Sequence, residues 1–408
     1  MRLLILTQYF PPEVGAPQNR LFELAVRLQK KGVDITVLTA MPNYPDMVIH
    51  RDYAGKKYFY EEMEQLKVHR SSIYVSKDRS IFKRLLNYFS FVYTSYRIGL
   101  KHTGKSDYIF CESPPLFLGI SAFFLAKNKK AKLIFNVSDL WPESAEKLGL
   151  VTNKFLLGVS KWLEEFLYRK SALITGQTKG IVANIKSRFP AKIVYWLPNG
   201  VDLSYYDPSM FTDAWRSTAG FNKEDKIFFY GGIIGHAQGL DIILNAANRL
   251  RDRSEIKFLM LGDGPEKERL MKIAEKLDLK NVHFKAPVSK KEMPHIVAAI
   301  SASIIPLKKL DLFKGAIPSK IFESLAMKKP ILLGVDGEAK ELFIDEGNCG
   351  MFFTPESEEE LVKSIMYMVE HPSEMSKWSE NARTYVDQKF NRNMIADRFY
   401  DLLMENIK

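Results

Sequence analysis

Twice in this chain a short, continuous apolar run gives way to a glycine-bearing loop and then to a stretch of helical period. The first instance is Arg2–Thr7, then Phe10 to Pro17, then Asn19 to Lys31, where Leu21, Phe22, Leu24, Ala25 and Leu28 recur on one face. Gly32 closes that helix and Val33–Leu38 reads as the next strand. Strand, helix, strand is a parallel unit, because parallel neighbours need a crossover. The second instance is Ile227–Tyr230, the loop Gly231 to Gly239, and a helix from Leu240 to about Arg251. Runs at 108–110, 133–137, 173–175 and 193–195 extend the first pattern. Those at 258–261, 282–284, 302–305 and 330–333 extend the second. The expected fold is α/β: two Rossmann-like, doubly wound domains facing a central cleft, with ligands beyond the carboxyl ends of the strands.

A chain of 408 residues exceeds what one core usually supports. The turn residues Pro198-Asn199-Gly200-Val201-Asp202 place the boundary near 203, giving domains over 1–203 and 204–385. Residues 386–408 are expected to form a terminal helix returning to the first domain. Two distant cysteines, Cys111 and Cys349, exclude a disulfide framework and suit a reducing cytosol. The opening apolar run is too short for a signal peptide, and no run approaches the ~20 residues of a spanning helix. No metal-ligand cluster is read.

The net charge of +11 is unevenly placed: residues 1–203 hold 30 Lys+Arg and 17 Asp+Glu. That half suits an anionic surface or substrate, and equally a solubilising one. Residues 81–101 read as an amphipathic helix, with Ile81, Phe82, Leu85, Leu86, Phe89, Val92, Tyr93 and Tyr96 on one face. Its aromatics and basic flanks favour contact with a membrane over simple core packing.

Several segments carry possible chemistry. Gly15 lets backbone amides approach a phosphate or sugar at a helix start, although a tight turn alone explains a lone glycine. Four glycines between 231 and 239, Gly232 among them, form a diphosphate cradle that is neither a Walker loop nor GxGxxG. His236 and Gln238 supply donors there. Ser319 is a candidate N-cap, followed by Lys320 for phosphate and Glu323 for a ribose diol; a capping box explains Ser319 and Glu323 equally. A lysine in a first helical turn opposes the dipole, which favours an anion beside it. Asp139 lies at a strand end, either facing the cleft or capping a helix from Pro142.

These segments together resemble the retaining GT-B glycosyltransferases of family 4, and within it the WbuB type that builds O-antigen or capsule repeats. The resemblance spans nearly the whole chain. It rests on Tyr9-Phe10-Pro11-Pro12 with Gly15, Glu23-Leu24-Ala25 with Gly32, Ser138-Asp139-Leu140-Trp141-Pro142-Glu143-Ser144, Pro198-Asn199-Gly200-Val201-Asp202, Gly262-Asp263-Gly264-Pro265 and Pro318-Ser319-Lys320-Ile321-Phe322-Glu323. It implies that Glu323 is the second glutamate of the E-x7-E signature, holding the ribose hydroxyls. The first glutamate's position is Gly315, and the usual Arg and Lys of the diphosphate loop fall on Ile233 and Gln238. His236, Lys320 and backbone amides are then left to neutralise the diphosphate.

The implied catalytic set is Asp139, His236 and Lys320, with Gly15, Asn199, Gly232, Gln238, Gly264, Ser319 and Glu323 binding the donor. No metal or cofactor is expected beyond a UDP-linked, N-acetylated sugar donor. No second carboxylate pairs with Glu323 as double displacement requires, so a front-face mechanism is expected. The implied partners are the donor, an undecaprenyl-diphosphate-linked acceptor and the inner face of the cytoplasmic membrane, placing the protein in the cytoplasm and peripheral on that face. Nucleic acid is not among the expected partners. Three other readings remain: a GT-B sugar-nucleotide epimerase, a basic nucleic-acid-binding protein, and a membrane scaffold with a dead site. The absence of helix-turn-helix, RRM or zinc signatures weighs against the second.

Overall fold

The structure is a computed structural model that describes residues 1–13, 15–78, 80–147, 151 and 153–405. Val14, in the first glycine-bearing loop, and the last three residues of the expected terminal helix lie outside the described residues. The contacts divide the chain into a unit of Met1–Asn199 with Asn393–Lys408, and a unit of Gly200–Arg392. The crossing points are thus 199/200 and 392/393 rather than 203 and 385. The chain returns late because a helix ends at Phe390 and a new one starts at Arg392.

The first unit holds strands β1 (Arg2–Leu6), β2 (Asp34–Ala40), β3 (Tyr58–Met63), β4 (Leu66–Ser71), β5 (Tyr108–Ser113), β6 (Lys132–Val137), β7 (Leu173–Gly176) and β8 (Val194–Trp196). Its helices are α1 (Ala16–Lys30), α2 (Ile81–His102), α3 (Leu118–Lys129), α4 (Glu143–Lys147), α5 (Lys154–Lys170) and α6 (Lys179–Arg188). The sheet runs β3-β4-β2-β1-β5-β6-β7-β8, parallel except for β3 against β4. That hairpin was not foreseen: β3 is half-exposed and lacks a clean apolar run, so its pairing comes from the neighbouring buried strand.

One face of the sheet packs on α2, α3 and α5 through residues such as Phe91, Leu118, Leu125, Leu163 and Leu167. The other packs on α1. A later helix covers that second face too: Phe399 lies 5.9 Å from Phe110, and Lys31 pairs with Asp397 at 2.7 Å. β1 lies between β2 and β5, so the loop after it, described over residues 7–13 and 15, occupies the switch point of the sheet.

The second unit has helices α7 (Trp215–Ala219), α8 (Asp241–Arg249), α9 (Lys267–Lys276), α10 (Met293–Ala299), α11 (Lys320–Ala326), α12 (Glu338–Lys340), α13 (Glu358–Glu370) and α14 (Pro372–Phe390); the returning helix is α15 (Arg392–Glu405). Strands β9 (Lys226–Gly231), β10 (Ile256–Leu261), β11 (Val282–Lys285), β12 (Ala302–Pro306), β13 (Ile331–Gly334) and β14 (Gly350–Phe352) form an all-parallel sheet, ordered β11-β10-β9-β12-β13-β14. The strands are near-continuously apolar because both faces are covered. Here β9 is the switch strand, and the loop after it is Gly231–Gly239. Both loops that stood out in the sequence therefore occupy switch points, each in its own unit.

Candidate active site

The second unit gathers Gly232, Lys320 and Glu323 around two tyrosines. The Lys320 ammonium sits 3.8 Å from the centre of the Tyr230 ring. Gly232 lies over this cation at a φ of 135°, a conformation that favours glycine, and a Cβ there would sit 3.0 Å from Lys320 Nζ. The Tyr230 hydroxyl donates to Ile233 O, which pins the same loop. Enclosure lowers the Lys320 amine to about 7, with Glu323 opposing the shift. An ammonium made costly by burial is one that an incoming anion would strengthen.

Glu323 stands one turn further along α11. Burial pushes its carboxyl above the usual range, while Arg392, Lys290, Tyr206 and Lys320 pull it back. Burial and the Glu323 charge both push the Tyr206 phenol up, and that phenol hydrogen-bonds the carboxylate. Tyr206 is held from behind: Arg383 donates to Tyr206 O at 2.6 Å, to Ala326 O at 2.8 Å and to Leu203 O at 3.2 Å. The glutamate is therefore not closing a capping box. Ser319 occupies the N-cap position of α11 but makes no side-chain cap bond, so its hydroxyl is not committed to the helix.

Two other expectations change. His236 was expected to face the diphosphate; instead its Nδ1 lies 2.8 Å from Glu266 Oε1, and a carboxylate there opposes an anion. Glu266 continues to Arg269 and Asp241, an exposed ion row. Gly264 was expected to bind donor, but its backbone packs on the loop: a Cβ would sit 2.4 Å from Ile234 O, and at Gly262 1.8 Å from Gly232 O. Ile234 N–H donates to Asp263 O at 2.8 Å, so these glycines shape the cradle from beneath. Gln238 lies in the short turn His236–Gln238, its side chain against Gly235.

Gly15, Asp139 and Asn199 belong to the first unit. Gly15 is the extended N-cap residue of α1, and Asn199 is buried. Asp139 was read as a possible cap for a helix from Pro142; α4 starts at Glu143, and the carboxylate accepts from the Ser144 hydroxyl at 2.7 Å.

Behind Ser138 lies a buried polar network that sequence reasoning missed. Arg20 pairs with Glu112 at 2.6 Å and donates to Ser138 Oγ at 2.8 Å. Asn136 bridges Glu112 and Thr175 at 2.6 Å each. One signal existed: Arg20 stands four residues before Leu24, a charged side chain on the core face of α1.

The α2 helix also differs from its expected faces. Leu85, Val92 and Tyr96 pack on the core, while Phe82 and Tyr93 are 68% and 60% exposed. The buried stripe is Asn87, Phe91, Ser95 and Gly99, three of them small or polar residues that a hydrophobic pattern assigns to the outside. No helix among the described residues is long and apolar enough to cross a membrane.

Two α/β units built on largely parallel sheets, each with a loop at its switch strand, match the GT-B class of glycosyltransferase. Residues 18–205 match the Glycosyltransferase Family 4 model and residues 211–385 the Glycosyl transferases group 1 model. The chain is a family 4 glycosyltransferase with the GT-B fold. It is 26% identical to the putative colanic acid biosynthesis glycosyl transferase WcaI of Escherichia coli, over 98% of both chains. It is 21% identical to the O-antigen chain mannosyltransferase C of Escherichia coli over 46% of this chain and 48% of that protein. Among solved structures, sucrose-phosphate synthase of Thermosynechococcus elongatus aligns with a TM-score of 0.76 at 14% identity over 100% of this chain and 99% of the other. Anabaena HepE in complex with UDP and glucose aligns at 0.72 and 16% over 99% and 100%.

Proposed function

We propose that this chain transfers a sugar from a UDP-sugar to a polyprenyl-diphosphate-linked saccharide, with retention at the anomeric carbon, in the synthesis of a bacterial surface polysaccharide. The observation that carries the reading is the Lys320 ammonium enclosed between the Tyr230 ring and the Gly232 loop, one helical turn from Glu323. An enclosed cation suits a diphosphate, and a carboxylate one turn away suits a ribose diol. The UDP in the HepE structure and the polysaccharide work of WcaI support the donor and the pathway class.

In this mechanism the bond between the anomeric carbon and the phosphate oxygen breaks, and UDP leaves with the electron pair. The acceptor hydroxyl oxygen bonds the same face of that carbon and passes its proton to the departing phosphate. Lys320 and the loop amides stabilise the charge that develops on that phosphate. Glu323 holds the ribose, and Asp139 orients the acceptor or the sugar.

Contact with a membrane is supported by the outward faces of two helices. Phe82 and Tyr93 on α2, and Phe155 and Trp162 on α5, are exposed, and Arg97, Lys161 and Lys170 lie on the same helices. Thermal unfolding with UDP-, GDP- and ADP-sugars tests the donor: a UDP-sugar should raise Tm most, and equal or absent protection by all three would sink it. Flotation should bring the protein up with phosphatidylglycerol vesicles and not with phosphatidylcholine, and Phe82→Ser with Phe155→Ser should abolish that.

A further inference from the structure

The first unit contains a cavity of about 650 Å³ that none of the donor chemistry uses. Its walls come from the loop after β1, the loop after β2 and the segment leading into α2. That size is within the range of small-ligand sites. Three tyrosines line it, Tyr9, Tyr44 and Tyr88, and the Tyr9 and Tyr44 rings meet edge-on at 5.8 Å. Lys77, Lys83 and Arg84 line it too, with Asp46 and Asp78.

The pocket is held by buried polar groups. The Glu13 carboxylate, 2% exposed, accepts from the Asn43 N–H at 2.8 Å, the Tyr44 N–H at 2.9 Å and the Phe10 N–H at 3.2 Å. It therefore ties the loop carrying Tyr9 to the loop carrying Tyr44. Gln8, also buried, donates to Tyr9 Oη at 3.1 Å and to Asn87 Oδ1 at 3.0 Å, and its own Oε1 is buried without a partner. Tyr9 Oη accepts from Gln8, so its hydrogen is oriented to donate elsewhere. Asp78 bonds the Ser80 N–H at 2.9 Å, which commits that charge to the local turn.

Aromatic faces with the fixed Tyr9 hydroxyl suit a sugar ring, and lysine with arginine suits phosphate. Lys83, Arg84, Asn87 and Tyr88 project from one side of α2, while Phe82, Leu86, Phe89 and Tyr93 emerge exposed from the other. A ligand with a polar head in this pocket and an apolar tail beyond the outer face spans one helix diameter, about 10 Å.

We propose that this cavity binds the diphosphate and first sugar of the acceptor, with Lys83 and Arg84 reading the phosphates and Tyr9 and Tyr44 the sugar, while α2 separates that head from the bilayer that holds its tail. The proposal rests on the function proposed above and deepens it. Glu13 is here a positioning residue.

The test is calorimetric titration of the full chain with farnesyl diphosphate-linked N-acetylglucosamine, farnesyl diphosphate and inorganic pyrophosphate. The double variant Lys83→Ala with Arg84→Ala should weaken both prenyl compounds about tenfold or more. Tyr44→Ala should weaken only the saccharide-bearing one, and thermal protection by a UDP-sugar should be unchanged in both variants. Undiminished binding of the prenyl compounds by the double variant, or no binding by the parent chain, overturns the proposal. Pyrophosphate bound as tightly as the prenyl compounds overturns it in favour of a free-phosphate site. Prenyl binding that follows these expectations while no nucleotide sugar protects the protein leaves the pocket standing and removes the donor reading instead.

Discussion

Donor binding should be accompanied by proton uptake at Lys320. The enclosed amine titrates at about 7 in the free protein. At pH 8 roughly nine in ten molecules then carry it neutral, at pH 7 about half, and at pH 6 about one in ten. A diphosphate within ion-pairing distance favours the ammonium and returns the group toward its ordinary value. Each binding event should then take up about 0.9 proton at pH 8, about 0.5 at pH 7 and about 0.1 at pH 6. The sign follows from the depressed value: the free protein holds fewer protons than the complex above pH 7, so affinity falls as pH rises. The slope approaches tenfold per pH unit, about 1.4 kcal/mol.

The assay is titration with UDP-glucose, whose diphosphate stays fully ionised across the neutral range, in buffers of different ionisation enthalpy. The apparent enthalpy should vary with the buffer at pH 8 and much less at pH 6. Lys320→Met should bind weakly and show no buffer dependence. Uptake near zero at pH 8, or the same uptake in Lys320→Met, refutes the assignment of this amine to the diphosphate.

Glu323→Gln keeps the shape but removes the charge that Tyr206 bonds; the donor KM should rise about tenfold or more, with kcat less affected, as steady-state kinetics would show. Glu13→Ala strips three N–H groups, two of them buried, of their acceptor. Stability by urea unfolding should fall by roughly 3 kcal/mol. Gly262→Ala would drive a Cβ into Gly232 O at a φ of 146°; it should lower Tm and abolish donor protection together, whereas Gly220→Ala, strained but open, should lower Tm alone.

Which features were legible in the residues depends on whether their cause is local. Apolar runs of strand length, helical periods and the glycines of the switch loops depend on neighbours a few positions away, and the elements they announce are present at 2–6, 34–40, 226–231 and 256–261. The β3–β4 hairpin and β14 were not legible, because a half-exposed or three-residue strand owes its existence to the strand beside it.

The site divides in the same way. Lys320 and Glu323 were visible, since their spacing along one helix places them together. Tyr206, Arg383 and Arg392 were not, because each meets the site across a long stretch of chain. The partner of His236 was equally invisible: Glu266, thirty residues on, lies 2.8 Å from the ring.

By itself, then, the order of residues determined two doubly wound units, their switch loops and the cation beside Glu323, because periodicity and glycine conformations act over one or two turns. Only the tertiary structure decided that α2 turns Phe82, Phe89 and Tyr93 outward and Phe91 inward, that Arg20 is neutralised by Glu112, and that three tyrosines and three cations share one cavity. Those outcomes depend on which distant surfaces exclude water together, and no local pattern encodes that choice.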